Sequence, residues 1–271
     1  MIPQWLEVHR GAAPLVVSIP HSGVELPGSL EQRFVSPWLA RKDCDWWVDR
    51  LYAFAADLGA TTVRTRICRC VIDVNRDPSG ASLYPGQATT GLCPLTTFDG
   101  EPLYASLEPD DGEVARRRSI YFDPYHQALA AELAHSRTLH DNIVLFEAHA
   151  IRSLIPRLFD GELPNFNLGT NSGASCGPAL TAAVEAVCDA SGFTRVTDGR
   201  FKGGWTTRRY GEPDRGVHAI QMELACRGYM DEPADSPTPE TWPPPYSEAR
   251  AAPVRAVLAD ILDACLTFAG A

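Results

Sequence analysis

Short apolar runs alternate with longer stretches of helical periodicity along this chain. Leu15-Val16-Val17-Ser18-Ile19 is apolar and β-branched and is stopped by Pro20 and Gly23, which predicts a buried strand. Apolar residues then recur at Trp47, Val48, Leu51, Phe54, Ala55 and Leu58. That spacing predicts a helix over 45–58, with Asp43 or Asp45 as its N-cap and Gly59 as its stop. Further strands are predicted over 61–66, 70–74, 143–146, 193–196 and 217–224. Further helices are predicted over 113–139, interrupted near Pro124, and over 178–190 and 247–268. The Pro- and Gly-rich stretch over 77–109 reads as a loop, and loops of that length are more often functional than idle. Strands alternating with helices specify an α/β domain with a mostly parallel sheet. No repeat, linker or shift in composition marks a boundary, so residues 1–271 are expected to form one domain.

Composition narrows the partners. With 45% hydrophobic and 21% charged residues, the chain is an ordinary soluble globular type. It is long enough to bury a sizeable core without disulfides or a structural metal. A net charge of −10 leaves no basic field to hold phosphates, which argues against nucleic acid. The cysteines, at 44, 68, 70, 93, 176, 188, 226 and 265, include no Cys-x-x-Cys pair, so they read as small buried hydrophobes. The first residues lack the basic and apolar regions of a signal peptide, and no apolar run approaches ~18 residues. The expectation is a reduced, cytoplasmic protein with no membrane partner. What the acidic balance leaves open is the purpose of several tight arginine clusters.

Reactive groups in open α/β sheets gather beyond the carboxyl ends of the strands. Four such places here are polar: Pro20-His21-Ser22-Gly23, Asp73-Val74-Asn75-Arg76, Glu147-Ala148-His149 and Gln221-Met222-Glu223. Two histidines on separate strands plus a carboxylate make the three-ligand set of a catalytic zinc site. His21 and His149 are the candidate histidines; Asp45, Asp43 and Glu25 compete for the third place. Glu147, two residues before His149, is expected to point to the opposite side if the strand continues, and to serve as an outer group. His9, His126, His135, His140 and His218 read as structural. Glu223 lies in the apolar run Ala219–Ala225, either as a buried general base or as an edge-strand residue facing solvent. Asn75-Arg76 suggests an anion clamp, since the guanidinium fork matches a carboxylate. Arg64, Arg66 and Arg69 lie upstream, and Arg208 and Arg209 follow Lys202-Gly203-Gly204-Trp205. Arg116-Arg117-Arg118 reads as a solvated helix face. No phosphate-loop signature and no Gly-x-Ser-x-Gly elbow is present.

Several blocks, in order, carry a resemblance. They include Ser18-Ile19-Pro20-His21-Ser22-Gly23, Asp43-Cys44-Asp45-Trp46-Trp47-Val48-Asp49-Arg50, Val71-Ile72-Asp73-Val74-Asn75-Arg76, Leu83-Tyr84-Pro85-Gly86-Gln87, Ile151-Arg152-Ser153-Leu154-Ile155-Pro156-Arg157 and Gly199-Arg200-Phe201-Lys202-Gly203-Gly204-Trp205. Together they resemble the N-formylglutamate amidohydrolase family over nearly the whole chain. The resemblance implies a phosphorylase/hydrolase-like fold, a three-layer α/β/α arrangement similar to that of zinc carboxypeptidases and aspartoacylases. It implies hydrolysis of N-formyl-L-glutamate to formate and L-glutamate, a step of histidine degradation. It further implies one zinc ion, or another divalent metal, on His21, Asp45 and His149, with Glu223 activating water. Arg69 would stabilise the oxyanion, and Asn75, Arg76 and Arg208 would hold the anionic N-acyl amino acid. The chain departs from the family pattern at Glu147 (usually Asp), Ala150 (usually Ser), Trp47 (often His) and Cys68-Arg69-Cys70 (usually Ser-Arg-Tyr). These departures bear on substrate preference. The alternatives are an amidohydrolase for another N-acyl amino acid, such as N-formyl- or N-acetyl-aspartate, and a non-catalytic binding protein for acidic amino acids.

Overall fold

The computed structural model describes residues 2–270. In chain order the elements are β1 (Leu6–His9), β2 (Leu15–Ile19), α1 (Gly28–Glu31), α2 (Pro37–Arg41), α3 (Val48–Leu51) and β3 (Thr61–Thr65). Then come α4 (Asp111–Arg117), α5 (Asp123–Arg137), β4 (Ile143–Ile151), β5 (Phe166–Gly169) and α6 (Pro178–Ala190). The chain ends with β6 (Arg195–Thr197), α7 (Trp205–Tyr210), β7 (Val217–Ala225) and α8 (Glu248–Ala269). The strands form one mixed seven-stranded sheet in the order β1-β3-β2-β4-β7-β5-β6. Only β1 on β3 and β5 on β7 pair antiparallel.

Strand alternation explains the layering. Leu15, Val17, Val144, Phe146, Ile220 and Met222 face α6 and α8, whereas Val16, Ile143, Leu145 and Ala219 face the side covered by α5. The α/β class with a mostly parallel sheet is therefore as expected. At the carboxyl end of the central strands the inward alternation turns polar, and that is where the candidate site lies.

Several local expectations are corrected. Residues 70–74 form no strand: Val71 N–H bonds Cys68 O at 2.9 Å and Asp73 N–H bonds Leu92 O at 2.7 Å, so turn and loop bonds replace a ladder. The helix predicted over 45–58 shrinks to α3 and a short 3₁₀ turn at Ala53–Ala56. Its start fails because Trp47 sits in the left-handed region at φ 66° and the Asp45 N–H bonds His21 O at 3.0 Å. Asp45 is spent on the site and is not free to cap a helix. The break near Pro124 is present, as a wide turn over Arg118–Phe122 ahead of the proline that lacks an N–H. Arg117 is corrected too: it is fully buried, with Nε on Glu113 at 2.8 Å and Nη1 on Val71 O at 3.0 Å. It fastens the irregular 70–74 segment to α4. All eight cysteines are buried and free.

His126, on α5, holds the same segment from the other side: its Nε2 lies 2.7 Å from Val74 O and its Nδ1 3.1 Å from the Tyr210 hydroxyl. Burial lowers its pKa to about 4, although the Val74 carbonyl, Glu147 and Asp123 pull upwards; Arg209 adds to the lowering. Between about 6.5 and about 4 the unfolded chain takes up a proton that the folded chain refuses, so acid costs stability here. Integrated over that window the loss is roughly 3 kcal/mol. His126→Gln keeps a donor for Val74 O and cannot titrate. Urea unfolding at pH 7.5 and pH 5 should show a smaller pH difference in this variant than in the wild type; an equal difference rejects the assignment.

Candidate active site and metal centre

β4 and β7 run parallel in register, with Glu147 opposite Gln221 and His149 opposite Glu223. Residues paired this way project to one face, so four polar side chains make a square patch there, backed on the other face by Phe146, Ala148, Ile220 and Met222. Because β4 continues through Ile151, Glu147 and His149 share a face, and the expectation that Glu147 points away is corrected: its Oε1 lies 3.4 Å from His149 Nε2. Its Oε2 accepts from the Thr207 hydroxyl at 2.6 Å.

His21 follows β2 and comes over this patch, its ring centroid 4.7 Å from that of His149. Asp73 accepts the His21 Nε2 proton at 2.7 Å. Against its burial, the charges of Arg76 and Arg69 and the hydrogen bond from His21 hold Asp73 well below the usual carboxylate range. With Nε2 committed as donor, His21 Nδ1 carries the lone pair. Burial and the Arg69 charge lower the ring to about 4, so it is neutral. That Nδ1 is buried with no hydrogen-bond partner and faces Asp45 Oδ2 at 3.7 Å. Asp45 Oδ2 is also 3.0 Å from His149 Nδ1 and accepts the Ala150 N–H at 3.1 Å.

His21, Asp45 and His149 thus offer ligand atoms all within 4.8 Å of one another, every one buried. The donor set suits a metal ion. An unpartnered imidazole lone pair beside a carboxylate lacks a cation between them, and the Asp73–His21 bond is the outer contact that orients a ligating histidine. His149 tells the same story. Burial opposes its charge, yet bonds to Asp45 and Glu147 lift its pKa to about 10, so the carboxylates around it favour a cation. Of the rival third ligands, Asp43 accepts the Phe98 N–H at 2.6 Å and faces Arg152, and Glu25 pairs with Arg66 at the half-exposed surface.

The other candidates divide. Arg69 is buried, its guanidinium bonded to Asp45 at 3.2 Å and to Asp73 at 2.7 Å. Asn75 is engaged within the protein: its Oδ1 accepts Thr206 N–H at 2.9 Å and its Nδ2 lies 3.0 Å from His149 Nε2. Gly204 makes this possible, because a Cβ there would stand 2.2 Å from the Asn75 amide. Glu223 is buried in a central strand, not at an edge. Burial raises its carboxyl to about 7 despite the His149 charge. Gln221 Nε2 donates to its Oε2 at 3.1 Å. A cleft of about 560 Å³, counting its open mouth, joins His21, His149 and Glu223 to Arg69, Arg76 and Arg200. Arg208 lies outside this wall, stacked 5.1 Å from the Tyr84 ring centroid with Nε on Gly203 O. Arg64 and Arg66 make surface ion pairs. Arg200, Tyr84 and the role of Asp73 were not read from the sequence, although all lie in blocks that carry the resemblance.

Comparison with known proteins gives the family. The model of the family described as N-formylglutamate amidohydrolase matches residues 13–230. An N-formylglutamate deformylase of Pseudomonas aeruginosa is 45% identical over 265 residues, covering 97% of this chain and 96% of that protein. Its counterpart in Pseudomonas putida is 44% identical with the same coverage. The crystal structure of N-formylglutamate amidohydrolase from Ralstonia eutropha superposes with a TM-score of 0.76 at 25% identity, over 98% of this chain and 97% of that one. A gene product of Agrobacterium tumefaciens shares the fold, with a TM-score of 0.72 at 16% identity, over 98% of this chain and 96% of that one. The chain belongs to the N-formylglutamate amidohydrolase family.

Proposed function

We propose that this protein hydrolyses N-formyl-L-glutamate to formate and L-glutamate with a divalent metal, zinc by preference, held by His21, Asp45 and His149. The observation that carries the metal is the buried, unpartnered Nδ1 of His21 facing Asp45. When bound there, zinc supplies a Lewis acid that polarises the formyl carbonyl and acidifies water. The chain's own groups do the rest. Glu223 takes the proton of the attacking water and delivers it to the leaving nitrogen as the C–N bond breaks. Arg69, fixed by Asp45 and Asp73, faces the cleft where the carbonyl oxygen gains charge. Arg76 holds a substrate carboxylate; Asn75 holds His149.

Purified protein with its metal content measured should release formate from N-formyl-L-glutamate much faster than acetate from N-acetyl-aspartate or formate from N-formyl-aspartate. A metal-loaded preparation that releases none from N-formyl-L-glutamate defeats the reading. A preference for an aspartate derivative moves the substrate, not the chemistry.

A further inference from the structure

Three guanidinium groups line the cleft, and they are not equivalent. Arg69 is neutralised by Asp45 and Asp73, and Arg76 has Asp73 at 3.5 Å. Arg200 has no carboxylate within ion-pair distance among the described residues. Its Nε donates to Leu158 O at 2.7 Å and its Nη2 to Ala88 O at 2.8 Å. Its carbon lies 5.2 Å from the Tyr84 ring centroid and 5.3 Å from that of Phe201. The group is thus clamped by two carbonyls and two rings, while Nη1 has no protein partner. Burial and the nearby Arg76 charge lower its pKa. A cation held rigidly, half-buried and beside a second cation, is costly unless an anion completes it. Its fixed orientation means little is lost when that anion binds.

We infer that Arg200 binds the distal carboxylate of the substrate while Arg76 takes the α-carboxylate, so that the pair selects a dicarboxylic N-acyl amino acid. The inference rests on the proposed hydrolysis and names its specificity residue. Arg76 is assigned the α-carboxylate because its partner Asp73 binds His21, which places it on the reacting side. The α-carboxylate sits on the carbon bearing the scissile nitrogen; the distal one lies two methylenes further out, towards Arg200.

N-formyl-L-glutamine matches the substrate in shape but has a neutral distal end, and it provides the test. Wild-type kcat/KM for the glutamate compound should exceed that for the glutamine compound on the order of 10²-fold. In Arg200→Gln that ratio should collapse towards one, through a rise in KM for the glutamate compound alone. Arg200→Lys should recover part of it. If Arg200→Gln keeps the ratio, or lowers both substrates in proportion, the assignment is overturned and Arg200 only braces Leu158 and Ala88. Calorimetry of L-glutamate against L-glutamine binding reads the same ratio without turnover. Loss of the proposed hydrolysis and loss of the Arg200 assignment are therefore separate results.

Discussion

Glu223→Gln should lower kcat for formate release about 10³-fold while metal content stays at the wild-type level. The reasoning begins with register. Glu223 stands opposite His149 on parallel neighbours, so backbone pairing alone brings its carboxyl to the same face as that candidate ligand. Burial lifts the carboxyl to about 7, where it accepts and returns a proton near neutrality at little cost. Gln221 donates to Oε2 and in turn is fixed by the Gly204 N–H at 2.6 Å, so the group is oriented before substrate arrives. Glutamine has nearly the same shape but cannot take a proton. A variant with a full complement of metal and a wild-type rate would falsify the base assignment. A variant that loses both metal and rate would point to Glu223 as part of the metal centre.

How much of this was legible beforehand depends on the kind of signal. The runs of β2, α6 and β7 were readable because each is buried on both faces or amphipathic with clear stops. His21, His149 and Glu223 were readable as candidates because polar groups ending or interrupting apolar strands are costly and few; Asp45 lies between α2 and α3, ends no strand, and was singled out from Asp43 and Glu25 only by the resemblance. Three things were hidden. The true extent of β4 was hidden because Glu147 and His149 break an apolar pattern while remaining on the strand; that the two share a face follows from the period of two once the strand continues, against the expectation for Glu147. The 70–74 segment reads as β-branched and apolar, but Arg117 and His126 bind its carbonyls from outside, and tertiary bonds of that kind leave no periodic trace. Arg200 was hidden because its role lies in what it lacks. A sequence shows that an arginine is present but not that its neighbours are neutral carbonyls, whereas Arg64 and Arg66, equally prominent in sequence, pair with acids at the surface.

His21→Ala should reduce bound zinc from one ion per chain to a small fraction and bring formate release to background. The lone pair at Nδ1 is one of the three ligand atoms that His21, Asp45 and His149 bring within 4.8 Å of one another, and loss of one from such a set leaves too few for tight binding. Because an alanine in a buried site can also disturb packing, Asp73→Asn makes the sharper test. Asp73 is not one of the three proposed ligands; it accepts the His21 Nε2 proton at 2.7 Å and the Asn75 N–H at 2.9 Å, and its second oxygen takes Arg69 at 2.7 Å. Without its charge, the His21 tautomer is held more weakly and the imidazole becomes a poorer donor. Zinc affinity, read by competition with a chromogenic chelator, should fall about 10- to 100-fold while the chain stays folded by circular dichroism. Unchanged affinity in both variants would remove His21 from the metal centre and with it the ligand set. Affinity lost in His21→Ala but untouched in Asp73→Asn would keep the ligand and reject the orienting bond.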